Sequence, residues 1–192
     1  MSILALASNT LVGTAASGQI EYDGQFFATD SNASRAQLQR IVRGTVVATT
    51  SGVSVDITGI PAWVERITVM FNGVSGSGTS NFLLQIGDSG GIENTGYSGG
   101  SFNAGTTANS TAGFDLTAQN LAAQVWGGSI TLTNLSGNIW CQSGVISGQS
   151  GGYIGASGGS KTLSDVLTQI RLTTVSGADT FDAGSINIIY EG

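Results

Sequence analysis

The residues best placed by type to do chemistry are few. Gly87-Asp88-Ser89-Gly90-Gly91 has the wording of a serine-protease nucleophile turn. A serine hydroxyl needs a positioned base, however, and the chain contains no histidine. The run is therefore expected to be a turn, and its serine to be inert. The absence of histidine also removes the commonest general base and the commonest zinc ligand. Gly155 to Thr162 has the look of a phosphate-cradling loop, but Ser160 stands where the glycine before the lysine must be.

Two carboxylates suffice for glycoside hydrolysis, and Asp88 with Glu93 and Asp179 with Asp182 are close pairs. Acid pairs of this kind in β-rich loops more often cap turns or hold a structural calcium. No metal, cofactor or catalytic residue is expected. Among the aromatic residues, Trp63 and Trp140 are expected in the core. Tyr97 and Tyr153, both embedded in glycine and serine, are the candidates for exposed contacts. Trp126 is a further aromatic that could stack on sugar if exposed. Cys141 has no second cysteine to pair with, and apolar neighbours suggest a buried small residue.

These residues must be positioned by strands. Only 9% of the 192 residues are charged, and 30 are glycine, a composition that does not support long surface helices. A hydrophobic content of 40% is too high for a disordered chain. Short runs such as Val53-Ser54-Val55-Asp56-Ile57, Ile67 to Phe71, Phe82 to Ile86 and Ser129-Ile130-Thr131-Leu132-Thr133 alternate with period two between glycines. Eight or more such strands without crossover helices predict an all-β, antiparallel, jelly-roll-like sandwich over residues 44–192. Gly73 to Gly78 and Gly144 to Gly159 are expected loops, the second long enough to be a binding surface.

Residues 1–43 form a separate N-terminal arm in this reading. Arg35, Arg40 and Arg43 fall within nine positions and mark an assembly contact or a solvated linker. Residues 31–42 permit either a short helix or an extended segment. The net charge of −6 has the wrong sign for nucleic acid, and no stretch approaches the length of a membrane span or carries a signal-peptide pattern.

Longer passages carry a resemblance. Gly52 to Ser75 (GVSVDITGIPAWVERITVMFNGVS) followed by Leu84 to Tyr97 (LQIGDSGGIENTGY) closely resembles a module of tailed-phage and prophage tail fibres. Ile170 to Glu191 looks like the terminal strands of that module, and Gly18 to Thr29 is similar to the segment that precedes it. The resemblance covers about half the chain and implies a trimeric, β-rich virion protein that adheres to the host and has no catalytic residues. With only residues 1–43 ahead of the sandwich, a short tail fibre is the expectation. Its partners would be two further copies, other virion proteins and a host surface glycan or protein. The alternatives are a capsid decoration or head-fibre protein, and a depolymerase working with carboxylates alone.

Overall fold

A computed structural model describes residues 19–22, 26–29, 34–122, 124–149 and 151–192. Among these residues there is no helix, and the strands pair antiparallel throughout. The chain divides by internal contacts into two units, residues 1–40 and 41–192.

In the first unit, β1 (Ile20–Tyr22), β2 (Phe26–Thr29) and β3 (Arg35–Gln37) form a three-stranded sheet. The rings of Tyr22 and Phe26 lie 5.0 Å apart across its first hairpin. Of the two conformations open to residues 31–42, the extended one forms where the chain is described, because Phe27 to Thr29 offer a strand partner for Arg35 to Gln37.

The second unit is the sandwich. Its strands are β4 (Ile41–Arg43), β5 (Val47–Ala48), β6 (Val55–Thr58), β7 (Arg66–Gly76), β8 (Phe82–Asp88), β9 (Gly91–Ile92), β10 (Ser98–Asn103), β11 (Thr106–Asn109), β12 (Phe114–Asp115), β13 (Trp126–Ser136), β14 (Ile139–Gly148), β15 (Ile154–Thr162), β16 (Gln169–Thr174) and β17 (Phe181–Glu191). The larger sheet runs β11-β10-β15-β14-β13-β7-β17-β4, with β5 also on β17; the smaller runs β12-β8-β16-β6, with β9 on β8. The all-β sandwich read from the sequence is the fold observed.

Alternation explains the core. Ile67, Val69 and Phe71 of β7, Ile130 and Leu132 of β13, and Ile186 and Ile188 of β17 point inward onto Phe82, Leu84 and Ile86 of β8 and Ile170 and Leu172 of β16. Each such side chain, fully removed from water, contributes on the order of 2 kcal/mol before entropy is counted. Phe82 and Phe181 meet edge-on at 5.5 Å. Trp140 is in the core, and so is Trp126, whose indole N–H donates to Asn120 Oδ1 at 2.8 Å. Trp63 is only half-buried, with its ring 5.6 Å from that of Tyr190.

Both expected glycine loops are strands. Gly73 to Gly76 continue β7, where a Cβ on Gly184 (φ +90°) would run into the Gly73 carbonyl, so the strands approach closely at that bulge. Gly144 to Gly148 lie in β14 and Ile154 to Gly159 in β15, paired with one another, because cross-strand pairing satisfies backbone groups that small side chains leave uncovered. The boundary between the units falls after Arg40, so β4, with Arg43 opposite Ile189, belongs to the sandwich rather than to the arm.

Candidate functional site

The protease-like run is the turn between β8 and β9, as expected. Asp88 Oδ1 accepts the Gly90 N–H at 2.7 Å and closes the turn, while Ser89 is exposed on it. Folding does bring Asp88 and Glu93 together, through Ser164. The Ser164 hydroxyl lies 2.7 Å from an oxygen of each carboxylate and shares its single proton between them. Its backbone N–H donates to Glu93 Oε1 at 2.7 Å. Lys161, only 6% exposed, forms an ion pair with Glu93 and donates to the Thr162 carbonyl at 2.7 Å.

This arrangement favours the charged form of both carboxyls near neutrality. Burial works against the charge of Glu93, but the Lys161 ammonium and the Ser164 donors outweigh it and hold the carboxyl below its ordinary range. Asp88 is also held low, chiefly by the Ser164 hydroxyl and the Gly90 N–H. A glycosidase pair needs one carboxyl kept protonated by its surroundings, and neither surrounding here does so. The cluster is a staple joining the β8–β9 hairpin to the segment after β15. Lys161, expected in a glycine-rich loop, lies in β15 with its ammonium turned inward.

Asp179 and Asp182 serve separate contacts. Asp179 accepts the Ser80 N–H at 2.9 Å, and Asp182 accepts from the Ser75 hydroxyl. Asp115, fully buried, accepts from Ser101 Oγ at 2.5 Å, from the Ala118 N–H at 2.9 Å and from Asn81 Nδ2 at 2.9 Å. Beside β4, β5 and β6 a cavity of about 380 Å³ is lined by Arg43, Thr45, Asp56, Ile57, Ile188 and Tyr190 among others. Asp56, on its rim, is committed to Arg171 by two hydrogen bonds of 2.7 Å.

Tyr97, expected as an exposed contact, is 3% exposed and must be corrected to a core residue. Its ring stands edge-on to Phe114 at 4.9 Å. Its hydroxyl accepts the Ile86 N–H at 2.7 Å and reaches the Glu93 carbonyl at 2.9 Å. Desolvation pushes the phenol well above its usual range, so it stays protonated and a donor. Tyr153 is half-buried, packed on the core beside the β14–β15 turn. Arg40 lies in the first unit and Arg43 in the sandwich; the side chain of Arg35 lies outside the described residues. Cys141 is half-buried on the outer face, opposite Thr133 and Ser160, and not in the core.

The outer face of the larger sheet was not anticipated. One row across it reads Asn187, Met70, Ser129, Val145, Ala156, Phe102 and Thr107; the next reads Ile189, Thr68, Thr131, Ser143, Gly158, Gly100 and Asn109. From β13 to β11 this face carries no charged side chain, and beyond β13 Arg66 and Glu191 pair with each other. Phe102 and Val145 are each 51% exposed and Ile154 is 55% exposed. The sequence signal for Phe102 was the glycine and serine around it, the same context that drew attention to Tyr97.

Among the described residues no three metal-ligating side chains cluster, and no helix is long and apolar enough to cross a membrane. Comparison with protein-family models, curated proteins and solved structures finds no match.

Proposed function

We propose that the chain is a structural protein of a tailed-phage virion, a short tail fibre that works as a homotrimer and attaches the particle to the host cell surface. Residues 1–40 would join it to other virion proteins and the sandwich would project outward. No reaction belongs to this role.

The observation that carries the reading is how the polar groups are divided. Asp88, Glu93, Asp115 and Lys161 are committed to internal bonds, while the outer face of the larger sheet from β13 to β11 presents hydroxyls, glycines and a few apolar side chains and no charge. Such a surface suits assembly into a particle, because another copy or a virion protein can cover it without stripping water from unpaired charges. The resemblance of residues 52–98 and 170–191 to fibre modules points the same way.

Gold-labelled antibody against the protein, viewed on intact virions by electron microscopy, tests the placement. Label at the tail tip is the expected result. Label on the head would favour the capsid decoration reading instead. Purified protein should also bind host cells and compete with virions for attachment, and should leave host surface polysaccharide at its original chain length.

A further inference from the structure

We infer that copies of this chain meet through the outer face of β10, β15 and β14, with Phe102 of one copy seated in the shallow hollow over Gly100 and Gly158 of another. This rests on the homo-oligomer reading above and gives it a surface.

Three observations lead there. First, the polarity of these strands is inverted. Ser101 and Asn103 of β10 are buried: Ser101 Oγ donates to Asp115, Asn103 Nδ2 donates to the Gln119 carbonyl at 2.9 Å, and Asn103 Oδ1 accepts the Ile154 N–H at 3.1 Å. In β14, Gln142 is buried and donates to Ser157 Oγ of β15 at 2.9 Å. With polar groups bonded inside, the period of two forces Phe102, Val145 and Ile154 outward. All three adjoin Ala156, so they form one apolar patch: Phe102 and Val145 flank it across the strands, and Ile154 is two residues before it in β15.

Second, a hollow lies beside the knob. Gly100 pairs with Gly158, one step along the same face from Phe102. A Cβ on Gly158 would meet nothing closer than the Gln142 carbonyl at 3.6 Å, an ordinary contact. The packing of the protomer itself therefore leaves room for a larger residue there. A protruding ring and a side-chain-free hollow side by side let the ring of each copy enter the hollow of the next, a head-to-tail contact that can close as a ring of three.

Third, charge selects the occupant. Each copy carries −6, so two copies repel wherever their acids face one another. Of the acids of the larger sheet, Asp182 and Glu191 lie on β17, away from β14, β15 and β10, and Glu191 is paired with Arg66; the patch carries none. A second copy is the partner that brings an equally uncharged face. β10 is already paired on both sides, by β11 and β15, so the contact is face to face and not an added strand.

The test is the mass in solution of the full chain, by sedimentation equilibrium from 1 to 100 µM, for the natural protein, Phe102→Ser and Gly158→Val. The natural protein should give a multiple of the single-chain mass. Both variants should keep the β-sheet circular dichroism and dissociate at concentrations at least tenfold higher. A single-chain mass at every concentration overturns the proposal, as does an oligomer indifferent to both substitutions. Two chains, lost in both variants, would keep the face and remove the trimer; three chains that persist would keep the trimer and remove the face. Normal self-association with Phe102→Ser but lost binding to host cells would assign the patch to the host and overturn the inference.

Discussion

Tyr97 and Phe102 show how little a residue's local context says about its place. Both lie among glycine and serine, yet one is buried against Phe114 and the other stands in solvent. The Tyr97 hydroxyl is what the Ile86 N–H bonds to in a region closed to water. Tyr97→Phe should therefore cost about 1 to 3 kcal/mol in urea denaturation, the penalty of a buried donor left without a partner, and should not alter host binding. The acid staple predicts a pH dependence. Asp88 and Glu93 have folded values below their ordinary ones, so their contribution to stability is complete above the ordinary carboxylate range. It is lost as pH falls through the folded values. Urea midpoints should be level from pH 7 to about pH 5 and fall below about pH 4. Lys161→Met, which strands the Glu93 charge, should lower stability on the order of 2 kcal/mol at pH 7, with Glu93→Gln in the same chain restoring part of it.

At the scale of elements, the β10–β11 hairpin turns on Ala104 (φ +49°) and Gly105 (φ +86°), the two left-handed positions of a tight turn. Alanine pays for that conformation with a Cβ, whereas asparagine tolerates it. Ala104→Asn should raise the stability of the sandwich by about 0.5 to 1 kcal/mol, read as a higher melting temperature. Strands β7, β8, β13, β16 and β17 were each legible from short apolar and β-branched runs, Ile67 to Phe71, Phe82 to Ile86, Ser129 to Thr133, Gln169 to Thr173 and Ser185 to Tyr190, because those runs carry side chains that meet the core. In the long β14–β15 hairpin only the start of β14, Ile139 to Cys141, was legible as a strand; Gly144, Gly155, Gly158 and Gly159 erase the alternation that side chains would display in the rest. What holds that hairpin is backbone pairing along nine residue pairs, from Ile139 with Thr162 to Ser147 with Ile154.

For the molecule as a whole, the division after Arg40 separates a three-stranded arm from the sandwich, and β4 lies on the sandwich side. Removing residues 1–40 should leave the melting transition of the sandwich intact, while removing 1–43 strips an edge strand from β17 and should lower it. Under the fibre reading, both truncations should fail to enter virions, measured by immunoblot of purified particles. Normal incorporation of the 1–40 truncation would show that the arm is not the attachment device.

Fold class was written into the sequence by itself, because scarce charge and period-two runs between glycines leave an antiparallel sandwich as the way to bury 40% apolar residues. The lack of histidine likewise ruled out a histidine-based triad before any coordinates. Which side of each strand faces inward was decided only by the tertiary structure. Alternation marks two faces and assigns neither; Ser101 and Asn103 turn inward because their partners, Asp115 and Gln119, arrive 14 and 16 residues later in the chain. A buried polar group is tolerable only when such a partner is in place, and that pairing, made in three dimensions, is what sends Phe102 to the surface.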